Sequence, residues 1–345
     1  MEMNRYSPFD TRFLRVGRYN KQADVYGLWW SGSGLVMKLG CAQLEVEAES
    51  TARDHTSWLG VLLDGAPVAR LPLRKGRHRY MLLSGMDETV THEITVLRDT
   101  QPSYDEDGPV LLHAVYTDGV LEAAENRPLM IEFLGDSLTV GEGTLGPVSA
   151  QEWRMPLISH MPAFPTLVSE KLHAEKRVIA LGGWGVYKSW DCNHDSRIGR
   201  IYEELCGITP GGDGPYDFQE RPADAVVINL GTNDGSAFSK ADPAEMKTEE
   251  ANLIQDVKIL LAMVRKHQKK AHIFWAYGLC GVQMTDVLQK AVQAYREETD
   301  DQNVSFLPLP DANGDVGSRS HPSRAAHEKA AAVIVNAIRG MMDEE

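Results

Sequence analysis

The sequence predicts two domains, an all-β sandwich over residues 1–127 followed by an α/β domain with a parallel sheet over residues 128–345. Three observations predict this. A chain of 345 residues exceeds one ordinary core and suits two. From about Ala23 to Thr117 apolar and polar residues alternate at strand period, and no long amphipathic helix interrupts them. After Asn126 short apolar runs alternate with helical stretches, the grammar of βα repetition.

In the first region QLEVEAE (Gln43 to Glu49) and HEITVL (His92 to Leu97) alternate, so each should bury one face. Turn signals at Asp64-Gly65 and Asp118-Gly119, with Gly32, Gly34, Gly60, Gly76 and Gly85, punctuate short strands as in a β-sandwich. Trp29 and Trp30 are adjacent in GLWWSGSG, so strand alternation predicts one ring buried and the other more exposed. The exposed ring could serve carbohydrate binding; core packing is the competing reading.

In the second region LMIEFLG, KRVIALG, ADAVVINLG, AHIFWAYG and NVSFLPLP read as buried parallel strands. Helices are expected near residues 163–175, 246–268, 284–299 and 323–341. The helix EEANLIQDVKILLAMVRKHQKK, with an apolar stripe and a basic end that suits its dipole, reads as scaffold. A doubly wound sheet places its active site at the carboxyl ends of its strands. The Gly-, Asp- and Pro-rich stretch from Ser189 to Pro222 is expected to shape the rim of that site.

Composition narrows the partners. A formal net charge of -14 disfavours nucleic acid and anionic membrane surfaces. No run of about 18 apolar residues occurs. MEMNRYSPFDTRFLR lacks the apolar core of a secretory signal, so the expected compartment is cytoplasmic. Cys41, Cys192, Cys206 and Cys280 lack C-x-x-C spacing, which fits reduced, packed thiols and no zinc site. DCNHDS, from Asp191 to Ser196, mixes metal-ligand residue types without a metal-binding spacing and reads as a polar loop. Nothing in the sequence excludes a homo-oligomer.

Three predicted strands end in GDSLT, GGWGV and GTNDGS. Ser137, after the first, has two readings: a capping or turn serine, or a nucleophile. Convergence of strand ends favours the second, because it brings Ser137, Gly183 and Asn233 to one crevice. The main-chain amides of Ser137 and Gly183 and the Asn233 carboxamide are the donor types an oxyanion requires. A glycine at 183 permits close approach of backbone to substrate. The base should be a histidine, and His321 stands on a loop just before the last helix, free to reach a neighbouring strand end. His327, on that helix, reads as a surface or interhelical residue. Trp184 and Trp190 flank the second strand end and are candidates to stack on a sugar ring, Trp184 the favoured one, with core packing as the alternative.

Gly135-Asp136-Ser137-Leu138, Gly183, Gly231-Thr232-Asn233-Asp234 and His321-Pro322 resemble the ordered blocks of the SGNH (GDSL-type) hydrolases. The preceding β-sandwich, VVINLGTND and the PYDF segment resemble in particular carbohydrate esterase family 2, whose members remove O-acetyl groups from plant polysaccharides. The resemblance implies a jelly-roll sandwich joined to a flavodoxin-like α/β/α SGNH domain. It implies that Ser137 attacks an ester carbonyl, that His321 moves the proton, and that Ser137, Gly183 and Asn233 hold the oxyanion, with no metal or organic cofactor. Asp136 would tie the nucleophile loop.

The family commonly carries Asp three residues before the histidine, but Ser318 stands there. The expectation is therefore a Ser–His dyad oriented by a backbone carbonyl; the alternative is a triad in which Asp315 or Asp311 is the substitute carboxylate. The implied substrate is an acetylated xylo-, manno- or gluco-oligosaccharide. Two other readings keep the fold: a short-chain acyl esterase, thioesterase or acyltransferase with a non-carbohydrate substrate, and an inactive carbohydrate-binding protein.

Overall fold

The computed structural model describes residues 3–343. Among the described residues eleven strands precede the α/β region: β1 (Asn4–Tyr6), β2 (Leu14–Val16), β3 (Tyr26–Leu28), β4 (Gly34–Gly40), β5 (Gln43–Ser50), β6 (Trp58–Leu63), β7 (Ala66–Pro72), β8 (Gly76–Ser84), β9 (His92–Arg98), β10 (Val110–Thr117) and β11 (Val120–Glu122). They form two antiparallel sheets, ordered β1-β10-β5-β8 with β3 on β10, and β11-β4-β9-β6-β7 with β2 on β4. β5 alternates as expected, with Leu44, Val46 and Ala48 in the sandwich core.

β9 departs from the alternation because both of its faces are covered. Ile94 and Val96 face the sandwich core, while Leu97 joins Leu62 against Met161 of the second domain. Trp29 and Trp30 also depart from expectation, with exposures of 6% and 0%. β3 ends at Leu28, so the pair lies beyond the strand and its two-residue period does not apply. Both rings enter a core cluster of the second domain, and the Trp30 indole N–H donates to the Leu205 carbonyl at 2.9 Å. Neither ring is available as a carbohydrate-binding surface.

The second region contains β12 (Leu129–Gly135), α1 (Ser137–Val140), α2 (Phe164–Leu172), β13 (Ala174–Ala180), β14 (Ala225–Asn229), α3 (Thr232–Phe238), α4 (Met246–His267), β15 (His272–Tyr277), α5 (Thr285–Thr299), β16 (Val304–Pro308) and α6 (Arg324–Asp343). All strand pairs are parallel, in the order β13-β12-β14-β15-β16. This is the flavodoxin-like doubly wound order, with its switch point between β12 and β14. Both sheet faces are apolar because both are covered. Met130, Leu134, Val226 and Ile228 face α4 and α5, and Ile131, Phe133, Ala225 and Val227 face α2 and α6. The 189–222 segment contributes mainly to this core, through Ile198, Ile201, Tyr202, Leu205 and Phe218, rather than to the cleft rim. No helix among the described residues is long and apolar enough to cross a membrane.

One charged residue interrupts the apolar run of β12. Glu132 is fully buried, and the strand register sets it opposite Arg177 of β13. Its carboxylate accepts from Arg177 Nε at 2.9 Å and from the Tyr202 hydroxyl at 2.6 Å. Arg18 reaches it from the β-sandwich, with Nη2 at 3.6 Å. The Arg18 guanidinium lies 4.4 Å from the Tyr216 ring centre and donates to the Tyr202 carbonyl at 2.6 Å. Burial alone would raise the Glu132 pKa, but Arg177 and Arg18 outweigh it and hold the carboxyl below its ordinary value.

Removing the charge from Glu132 strands two buried guanidinium groups. Glu132→Gln should therefore destabilise the protein by about 3–5 kcal/mol, measured as a lowered urea midpoint. A midpoint unchanged from wild type would show that the pair does not hold the domains together.

Candidate active site

β12 ends at Gly135, and the next residue caps α1: Asp136 Oδ1 accepts the Leu138 N–H at 3.0 Å. Ser137 therefore opens the helix, and its main-chain N–H has no main-chain acceptor among the described residues. The Gly183 N–H likewise has none. The loop carrying Gly183 is tied to the third strand end by Asp234, which accepts the N–H groups of Val186, Tyr187 and Lys188 at 3.0, 2.8 and 3.0 Å. At φ +86°, Gly183 adopts a conformation that favours glycine, and a Cβ there would lie 2.9 Å from Trp190 Cδ1.

These loops bring the predicted residues together. Ser137 Oγ lies 2.9 Å from His321 Nε2, and His321 Nδ1 lies 3.0 Å from the Arg319 carbonyl oxygen. A carbonyl only accepts, so Nδ1 carries the ring proton and Nε2 is left to accept the Ser137 hydroxyl proton. Asn233, at the start of α3, turns its Nδ2 toward the same loops. It donates to Asp136 Oδ2 at 3.0 Å and to the Trp184 carbonyl at 2.9 Å. Both amide hydrogens are engaged, so Asn233 must share or release one bond to donate to anything else.

Asp315 is not a third member of this chain. Its Oδ1 accepts from the Ser323 hydroxyl at 2.5 Å and its Oδ2 from Lys329 at 3.1 Å, so it braces the start of α6. Asp311 accepts from the Gly281 and Asn313 N–H groups, each at 3.3 Å. The carbonyl-oriented dyad is the arrangement present. His327 is buried between α2 and α6, where its Nδ1 accepts the Phe164 N–H at 3.2 Å; burial pushes its pKa down to about 3.

The site opens into a cleft of about 740 Å³. The two tryptophans exchange the importance expected of them. Trp184, 8% exposed, packs in the core with its indole N–H on the Tyr104 hydroxyl at 3.0 Å, whereas Trp190, 55% exposed, lines the cleft. Trp184 lies in the tight GGWG turn, which folds its ring inward. Asp191, His194 and Asp195 are each held separately, by Ser189, the Tyr187 carbonyl and Arg200, and do not converge.

The β-sandwich supplies part of the wall, which local motif reading could not detect. Gln101 Oε1 accepts the Gly182 N–H at 3.0 Å, and Ser103 and Tyr104 line the opening. Glu142 and Arg319, also in the cleft, form an ion pair. The only sequence signal for Glu142 was a charged residue inside the glycine-rich VGEG stretch after the nucleophile motif.

Asp136 is fully buried, and burial is the main reason its pKa rises from 3.8 to about 7. The Leu138 N–H opposes this rise, and the neighbouring Asp234 and Glu142 carboxyls reinforce it. The folded state therefore binds more protons than the unfolded chain between those two values, and this residue's contribution to stability falls as pH rises from about 4 to about 7. The unfolding free energy of Asp136→Asn relative to wild type should accordingly increase across that window, as measured by urea titration at stepped pH. A difference independent of pH would rule out the raised pKa.

Residues 133–329 match the GDSL-like Lipase/Acylhydrolase family, and residues 15–119 match the Carbohydrate esterase 2 N-terminal family. Among curated relatives, the chain is 28% identical to the cellulase/esterase CelE of Acetivibrio thermocellus over 87% of its own length but only 36% of that protein's. It is 21% identical to an acetylxylan esterase / glucomannan deacetylase of Cellvibrio japonicus, covering 97% of this chain and 90% of the relative. The acetyl xylan esterase Est2A of Butyrivibrio proteoclasticus superposes with a TM-score of 0.94 at 25% identity, covering 99% of both chains. Because the first of these matches spans more than half of the chain, the chain belongs to the GDSL-like lipase/acylhydrolase family, and it carries a carbohydrate esterase 2 N-terminal domain ahead of its hydrolase domain.

Proposed function

We propose that the protein is a serine esterase that removes O-acetyl groups from carbohydrates, with acetylated xylo-, manno- or gluco-oligosaccharides as the substrate class. The observation that carries this reading is the 2.9 Å contact between Ser137 Oγ and His321 Nε2 at an open cleft. The names of the relatives support the acetyl-carbohydrate part, and the exposed Trp190 ring supplies an apolar face of the kind that stacks on sugars.

In this reading Ser137 Oγ attacks the acetyl carbonyl carbon while its proton passes to His321 Nε2. The carbonyl oxygen becomes an oxyanion, which accepts from the Ser137 and Gly183 N–H groups and from Asn233 once that amide shares a bond. The tetrahedral species collapses by breaking the bond to the sugar oxygen. That oxygen takes the proton from Nε2 and leaves as a free hydroxyl, and the acetyl group stays on Ser137. Water then gives its proton to Nε2 and attacks the acetyl carbon. The bond from the acetyl carbon to Ser137 Oγ then breaks, that oxygen takes the proton back from Nε2, and acetic acid departs and ionises in solution. The Arg319 carbonyl keeps the ring oriented through both halves.

Release of acid from p-nitrophenyl esters of increasing length, then from acetylated xylan and mannan oligomers, tests this. Acetate should be the favoured acyl group and acetylated oligomers should be turned over. Preference for chains of about eight carbons or more, whose additional methylenes would have to bury roughly 5 kcal/mol of apolar surface, would point to a lipid substrate instead. No turnover of any ester would leave a binding protein. Asn233→Ala should lower kcat by about 10²- to 10³-fold. A kcat equal to wild type would remove Asn233 from the oxyanion site.

A further inference from the structure

We propose that Glu142 and Arg319 form a positioning pair that does, in two pieces, the work a single carboxylate does in a serine-hydrolase triad. The inference rests on the esterase reading of Ser137 and His321 and assigns what holds the histidine.

Arg319 is strained where it matters. Its φ is +54° and that of Ser320 is +55°, two consecutive non-glycine residues in the left-handed region. Such a conformation persists only where surrounding contacts over-determine it, and it tends to occur at functional sites. Here it aims the Arg319 carbonyl at His321 Nδ1. Two contacts hold it. The Arg319 N–H donates to the Ala150 carbonyl at 2.8 Å, and the Arg319 guanidinium pairs with the Glu142 carboxylate.

Glu142 is itself rigidly placed. Its side chain is 4% exposed, and its main-chain N–H donates to the Ser137 carbonyl at 2.9 Å. Its neighbour Gly143, at φ +86°, lies so near the histidine that a Cβ there would stand 2.5 Å from His321 Cβ. The loop that carries the nucleophile therefore also grips the loop that carries the base. Glu142 Oε2 stands 3.8 Å from His321 Nε2, too far for a hydrogen bond and near enough for its charge to favour imidazolium as it forms. A triad acid orients the ring through Nδ1 and offsets that charge with one group. Here the Arg319 carbonyl takes the orienting bond, and Glu142 supplies the charge and pins Arg319.

Two measurements test the pair. In protein labelled with ¹⁵N-histidine, the ring nitrogens of His321, identified by their loss in His321→Ala, should report the Nδ1–H tautomer in wild type and a mixture of tautomers in Glu142→Gln and Arg319→Gln. In steady-state assays on p-nitrophenyl acetate, each variant should lose about 10²-fold in kcat with little change in KM, since the base is misplaced and the binding surface is not. The double variant should be no slower than the worse single one, because the two residues act as a unit. Arg319→Lys, which keeps the charge, should recover part of the loss, and matching melting temperatures would exclude misfolding. An unchanged tautomer with near wild-type kcat in Glu142→Gln would overturn the pair while leaving the esterase reading intact. A wild type inactive on every ester would overturn that reading, and the tautomer measurement would still decide the pair.

Discussion

A fully buried carboxylate must find its charge partners inside the protein, and Glu132 finds one in each domain. Arg177 comes from the adjacent strand by register, so that half of the pairing is local to the sheet. Arg18 comes from the β-sandwich and enters an aromatic pocket of Tyr202, Tyr216 and Phe218. The same strand that carries Glu132 runs straight into Asp136 and Ser137. The attitude of the sandwich and the position of the candidate nucleophile are thus referred to one strand.

That docking explains why the cleft is a two-domain structure. Trp29 and Trp30 fill a core cluster of the hydrolase domain and Leu97 packs on Met161, so the sandwich is seated by apolar contact as well as by charge. Once seated, it places Gln101 on the Gly182 amide and Tyr104 on the Trp184 indole, against the second strand end. The N-terminal domain therefore shapes the site directly, and the long segment after Ser189 spends most of its apolar residues on the core.

Within the site, buried carboxylates organise main chain. Asp136 caps the helix that begins with Ser137, and Asp234 gathers three consecutive N–H groups of the second loop. Asn233 sits between these loops and is bonded to both. The histidine is oriented by a carbonyl rather than an acid, which shifts the burden of orientation from a side chain to the backbone conformation of Arg319.

Much of this was legible in the residues. Apolar runs alternating with helical ones specify a doubly wound sheet, and such a sheet converges its strand ends, so Ser137, Gly183, Asn233 and His321 could be grouped from their types and places alone. The short helices α1 and α3 escaped because four and seven residues show no helical period. Strand alternation does not govern Trp29 and Trp30, because it holds only inside a strand and the chain leaves one at Leu28. What tertiary structure alone decided was the group behind His321 and the inward turn of Trp184. A carbonyl belongs to every residue and leaves no mark in a sequence; only the fold, by forcing Arg319 into a left-handed conformation beside Glu142, selects which one faces the ring.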